Sequence, residues 1–131
     1  MRKNIAILGS TGSIGCNALD VIGHLGEPYR AVALSAHSQG QKLVEQVRKH
    51  RPKAIAITDE RVSDDVVRQI RSLGAEVYRG GEGLVKLATR DDVDIVLASV
   101  VGAAGLPAVL AAVQAGKTLA LANKESLVVA G

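Results

Sequence analysis

The chain has 131 residues, which suits one domain, and its 47% hydrophobic and 22% charged content supports a buried core and excludes a disordered segment. Aromatic residues make up only 2%, and the net charge of +3 comes from 16 basic and 13 acidic residues scattered along the chain. That argues against base-stacking readers of single-stranded nucleic acid and against an anionic membrane surface. The single cysteine, Cys16, excludes an internal disulfide and a C-x-x-C metal knuckle and fits a reducing, cytoplasmic compartment. No apolar run nears the roughly 20 residues of a membrane span, and the one after Asn4 is too short for a signal peptide.

Short apolar runs alternate with helical patterns. Ile5, Ala6, Ile7 and Leu8 form the first run and end at Gly9. The spacing of Ile14, Leu19, Val21, Ile22 and Leu25 predicts a helix from Ser13. Ala31 to Leu34 is a second apolar run, and residues 41–50 follow as a helix with Leu43, Val44 and Val47 inward. Ala54, Ile55, Ala56 and Ile57 form the third run, and residues 62–73 read as a helix closed by Gly74. Glu76, Val77 and Tyr78 form a short extra strand, with Gly80 to Gly83 as a turn before a short helix to Thr89. Asp94 to Ala98 and Thr118 to Leu121 are further strands around an alanine-rich helix, with Pro107 early and Gly116 late. Unbroken runs of small and β-branched residues suit strands buried on both faces of a parallel sheet. The expected fold is α/β, a doubly wound Rossmann-type parallel sheet. Residues 123–130 read as a loop entering a helix, leaving the sheet without a final strand. The terminal run is apolar with no partner element after it, so the chain is expected to be truncated, the alternative being that the short helix caps a small domain.

The strongest motif is Gly9-Ser10-Thr11-Gly12-Ser13-Ile14-Gly15, between the first strand and the first helix. Glycines there permit a tight turn and close approach of backbone to a pyrophosphate, and the helix offers unpaired N–H groups and its positive dipole end. Gly15 lets helix and strand pack closely, and Thr11 and Ser13 add hydroxyl donors. The spacing is G-x-x-G-x-x-G rather than G-x-G-x-x-G, and a glycine-rich turn with a serine N-cap is the purely structural alternative.

The end of the second strand selects the nucleotide. An NAD site carries a carboxylate there for the ribose hydroxyls. Here His37, Ser38 and Gln39 stand instead, with no carboxylate to repel a 2′-phosphate, which favours NADP. No arginine lies in that turn, and His37 also reads as an exposed loop residue without a role.

A second polar cluster, Asn123-Lys124-Glu125-Ser126, follows the last apolar strand, where polar residues face the ligand crevice. Helix capping explains Asn123 and Glu125 but not Lys124, since a cation is unfavourable at a helix N-terminus. The run from Ala115 to Leu127, with Gly9 to Gly15 and the segment Val100-Val101-Gly102-Ala103-Ala104-Gly105-Leu106, resembles 1-deoxy-D-xylulose 5-phosphate reductoisomerase over essentially the whole chain.

The resemblance implies the NADPH-binding domain, residues 1–131, of an enzyme that isomerises and reduces 1-deoxy-D-xylulose 5-phosphate to 2-C-methyl-D-erythritol 4-phosphate in non-mevalonate isoprenoid biosynthesis. It implies a divalent metal, Mg or Mn, and a homodimer in the full-length enzyme. Thr11, Gly12, Ser13 and Ile14 would line the cofactor phosphates and ribose, Asn123 and Glu125 would contact the cofactor, and Lys124 would reach the phosphosugar substrate. Many members carry a glycine, a basic residue and an asparagine where His37, Ser38 and Gln39 stand here, so Ser38 lacks their charge. The family's metal carboxylates lie beyond the last matched run, so the resemblance implies that the truncation falls before the catalytic domain. No catalytic or metal residue is therefore expected in the chain, and Asp59, Asp64, Asp65, Asp91, Asp92 and Asp94 read as caps and solvated charges. The fragment alone is expected to bind NADPH weakly and not to turn over. The alternatives are the cofactor domain of another NADP-dependent dehydrogenase, of aspartate-semialdehyde or homoserine type, and a stand-alone nucleotide-binding module.

Overall fold

The computed structural model describes residues 3–99, 105–122 and 127–130. The elements alternate as β1 (Lys3–Leu8), α1 (Ser13–Leu25), β2 (Tyr29–Ala36), α2 (Gly40–His50), β3 (Ala54–Ile57), α3 (Asp64–Ser72), β4 (Glu76–Arg79), α4 (Gly80–Ala88), β5 (Ile95–Ala98), α5 (Leu106–Gln114), β6 (Thr118–Ala122) and β7 (Leu127–Ala130). The strands form one 7-stranded sheet in the order β4-β3-β2-β1-β5-β6-β7. Every pairing from β4 through β6 is parallel, and β7 runs antiparallel to β6.

Side-chain alternation explains the double winding. Ile5 and Ile7 of β1 pack with Leu19 of α1, Leu43 and Val47 of α2, and Ile70 of α3. Ala6 and Leu8 point the other way, into the layer of Leu84 and Leu87 of α4 and Ala108 and Ala112 of α5. A strand buried on both faces shows no polar alternation, which is why β1 and β3 read as continuous apolar runs. Each fully buried Leu or Ile contributes about 1.5–3 kcal/mol.

The structure departs from the sequence expectations at several places. The stretch ending at Ala130 is β7, not a helix, paired from Ala122↔Leu127 to Leu119↔Ala130. Only residues 123–126 separate β6 from β7. A link that short can reverse a chain, whereas a parallel crossover takes about a dozen residues or more. Gly80 to Gly83 is the first turn of α4 rather than a loop. Of that group, Gly80 has a left-handed φ of 74°. Gly83 is glycine for packing, since a Cβ there would sit 2.9 Å from Tyr78 Cβ. α3 begins at Asp64, with the Ser63 hydroxyl accepting from Val66 N at 3.4 Å. Val21 and Leu25 of α1, grouped with the core by their spacing, are both 57% exposed.

The edge strand β4 is fastened through Arg90. Its guanidinium donates to both Asp92 oxygens (2.9 and 3.0 Å), to Glu76 Oε2 (3.2 Å) and to the Tyr78 hydroxyl (2.9 Å). The hydrogen bonds from Arg90 hold the Asp92 carboxyl below its ordinary pKa.

Candidate nucleotide site

The chain reverses its direction of strand addition between β1 and β5, and in open α/β sheets ligands bind beyond the carboxyl ends of the strands at that point. β1 delivers Gly9 to Gly12 there, and α1 starts at once. Gly9 has φ of 86°, a conformation that favours glycine. A Cβ on Gly15 would lie 2.1 Å from the Gly9 carbonyl oxygen and 2.7 Å from Ser10 Cα. The helix can approach the loop only because position 15 has no side chain. Gly12 differs from both. It is the α1 N-cap at φ −74°, and a Cβ there would meet only the Gly9 oxygen, at 3.9 Å. Neither strain nor packing calls for glycine at 12, so its small size leaves open space over the helix N-terminus. No side chain caps that terminus. The first-turn N–H groups therefore stay available to an anion, and the serine N-cap alternative fails.

The loop is held rigid from three sides. From β2, Ser35 accepts from Gly9 N with its hydroxyl (2.8 Å) and from Ser10 N with its carbonyl (2.8 Å). From α2, Gln46 accepts from the Ser10 hydroxyl (2.8 Å) and donates to the Ser10 carbonyl (2.8 Å). Beyond β5, the Ser99 hydroxyl lies between the carbonyls of Leu8 (2.8 Å) and Gly9 (2.9 Å) and shares its one proton with them. Ser10 is wholly buried, Thr11 nearly so, and Gly12 and Ser13 face solvent with Ile14 half-buried. Sequence reasoning did not identify Ser35, Gln46 or Ser99. They are small polar residues at or near strand ends and on an otherwise ordinary helix, and only the fold brings them to the loop.

His37, Ser38 and Gln39 follow β2 and are all exposed on the same carboxyl edge. Gln39 is the N-cap residue of α2. His37 Nδ1 lies 2.8 Å from the Thr58 hydroxyl, and its Nε2 is 3.9 Å from Asp59 Oδ2. Asp59, expected as a cap or solvated charge, is instead buried and clamped by Arg61. Arg61 Nε and Nη2 each donate at 3.1 Å to separate carboxylate oxygens, and Arg61 N donates at 2.9 Å. These hydrogen bonds pull the Asp59 pKa down to about 2.

A separate groove of about 280 Å³ runs between α1 and α2, lined in part by Cys16, Lys42, Gln46 and Lys49, and includes none of the loop-tip residues. Among the described residues, no three His, Cys, Asp or Glu side chains converge as a metal site. No helix among them is long and apolar enough to cross a membrane. Asn123, Lys124 and Glu125, and the segment from Val100 to Ala104, lie outside the described residues.

A doubly wound sheet with a glycine loop and an uncapped helix N-terminus at its switch point defines an α/β domain of Rossmann type. The chain belongs to the 1-deoxy-D-xylulose 5-phosphate reductoisomerase family, whose sequence profile matches residues 5–131. It is 47% identical to the reductoisomerase of Phocaeicola vulgatus over 131 residues, covering all of this chain and 34% of that protein. It is 48% identical to that of Dechloromonas aromatica, covering 98% of this chain and 33% of that protein. The chain thus spans about a third of the length of these curated relatives. Among solved structures, the Zymomonas mobilis reductoisomerase in complex with NADPH superposes with a TM-score of 0.86 at 35% identity, covering 96% of this chain and 33% of that one. A reductoisomerase in complex with NADPH, fosmidomycin and magnesium gives 0.86 at 38%, covering 95% of this chain and 31% of that one.

Proposed function

We propose that residues 1–131 are the NADPH-binding domain of a reductoisomerase that rearranges 1-deoxy-D-xylulose 5-phosphate and reduces the product to 2-C-methyl-D-erythritol 4-phosphate. The observation that carries this reading is the clamped Gly9–Gly15 loop, with open space at Gly12 over the uncapped start of α1, in a chain of this family. NADPH, when bound, supplies the hydride for the reduction.

In this reading the N–H groups at the start of α1 would bind the cofactor pyrophosphate, and Thr11, Gly12, Ser13 and Ile14 would line its phosphates and ribose. His37, Ser38 and Gln39 face the adenosine ribose and its 2′-phosphate. Asn123 and Glu125 contact the cofactor, and Lys124 reaches the phosphosugar. The donor set fits the cofactor: neutral and cationic donors line the edge, and of the two carboxylates on the loop after β3, Asp59 is paired with Arg61 and Glu60 is exposed. The described residues do not fit a divalent metal. Magnesium or manganese would be held by carboxylates in the part of the relatives' length that the chain does not span. Catalysis as a whole also depends on that part, since hydride transfer needs a positioned, water-excluded substrate. The working enzyme is a cytoplasmic homodimer in this account.

The test is Lys124→Ala in an enzyme of the relatives' full length. Turnover is expected to fall far more than NADPH affinity. An equal loss in both would place Lys124 in the cofactor site instead, and substrate-dependent NADPH oxidation by the 131-residue chain alone would contradict the proposed division of labour.

A further inference from the structure

We propose that Arg61, on the loop after β3, is a specificity-determining residue that presents its guanidinium to the 2′-phosphate of NADPH beside His37. The proposal rests on the NADPH reading above and names a residue that reading lacks.

The turn after β2 carries no arginine or lysine: its exposed residues are His37, Ser38 and Gln39. The neighbouring strand supplies the charge. β2 and β3 are parallel and in register at Ala36↔Ile57, so the residues after each strand emerge side by side. Two backbone hydrogen bonds continue that register past the sheet, Thr58 N to Ala36 O (3.1 Å) and Asp59 N to His37 O (3.0 Å). Arg61 is therefore tied to the edge that presents His37.

The orientation of the charges decides what this cluster attracts. Asp59 lies between the two bases, with His37 Nε2 at 3.9 Å and Arg61 Nη2 at 3.1 Å from the same oxygen, Oδ2. The Asp59 side chain is only 9% exposed, whereas His37 is 70% and Arg61 89% exposed. The Asp59 carboxylate is turned inward and the bases outward, so on this side of the pair an incoming anion meets a guanidinium and an imidazole, while the exposed Glu60 between Asp59 and Arg61 is the one acid on the loop it must avoid. Asp59 uses Nε and one hydrogen of Nη2, leaving the Nη1 edge without a partner among the described residues. That planar edge suits the two-point recognition of a phosphate. Asp59 also fixes the long side chain in advance, which reduces the ordering cost of binding.

The experiment measures the dissociation constants of NADPH and NADH for the chain and three variants. The native chain is expected to prefer NADPH. Arg61→Ala is expected to reduce that preference about 10- to 100-fold with little change for NADH, the size of a charge-assisted contact to phosphate. Arg61→Lys should retain part of the preference. Because Arg61→Ala uncovers Asp59, the double variant Asp59→Asn with Arg61→Ala separates contact from repulsion. It should stay indiscriminate if Arg61 touches the phosphate. Recovery of the preference in the double variant, or its retention in Arg61→Ala, would overturn the proposal while leaving the NADPH reading intact. A native chain that binds neither nucleotide, or prefers NADH, would overturn both.

Discussion

Gln46 holds Ser10 by both ends, its amide oxygen accepting from the Ser10 hydroxyl and its amide nitrogen donating to the Ser10 carbonyl, each at 2.8 Å. The residues are 36 apart in sequence. The contact joins the glycine loop after β1 to the helix that begins at the candidate 2′-phosphate turn, so the two halves of the nucleotide site share one fastening.

Gln46→Leu removes the amide donor to the Ser10 carbonyl and leaves it only the weak Cys16 thiol donor at 3.5 Å, which is expected to cost about 1–3 kcal/mol. Ser10→Ala leaves the carbonyl bond in place and is expected to cost less, about 1 kcal/mol. Urea unfolding of both variants and their double mutant should show a non-additive coupling, since they share a contact. Strict additivity would mean that the clamp is energetically idle.

Gly12 and Gly15 should separate binding from stability. In Gly15→Ala the new methyl would meet the Gly9 carbonyl, which is backbone and cannot swing aside. Overpacking of this kind costs about 1–3 kcal/mol, and the melting temperature should drop. Gly12→Ala finds room in the free chain, with its nearest neighbour at 3.9 Å. Its stability should stay within about 0.5 kcal/mol of native, while nucleotide affinity falls because the methyl occupies the space over the helix N-terminus. Unchanged affinity in Gly12→Ala would remove that glycine from the site.

Acid should expose the Asp59–Arg61 clamp. Its folded pKa, about 2, lies below the ordinary value of 3.8, because Arg61 hydrogen-bonds the ionised form. The unfolded chain therefore takes up the proton first as pH falls. The stabilisation is complete above about pH 4 and fades as pH drops towards 2. Urea midpoints of the native chain and Asp59→Asn should differ at neutral pH and converge across that window. A gap that stays constant down to pH 2 would show that ionised Asp59 contributes nothing to the fold.

Much of this was legible in the residues, and what was not has a physical reason. The apolar runs of β1, β3 and β5 announce doubly buried strands, and Gly15 announces a close helix approach that the 2.1 Å distance bears out. Leu127 to Ala130 misleads because a short apolar run has no period that separates strand from helix. The glycines of α4 mislead because Gly83 answers to Tyr78 across a turn rather than to a backbone angle. The grip of Ser35, Gln46 and Ser99 on the loop was invisible, since each contact crosses more than one element. The Asp59–Arg61 pair had a faint local signal, an acid and a base two residues apart after a buried strand, but nothing in the spacing showed the acid turned inward.

The most direct test of the central claim is an NADPH titration of the isotopically labelled chain followed by two-dimensional amide NMR, which detects weak binding and reports its location. The account predicts progressive shifts at the amides of Gly9 to Gly15 and of His37 to Gln39, smaller at the second group with NADH. An NADPH titration that leaves the Gly9 to Gly15 amides unmoved, or that perturbs only the groove between α1 and α2, would contradict it.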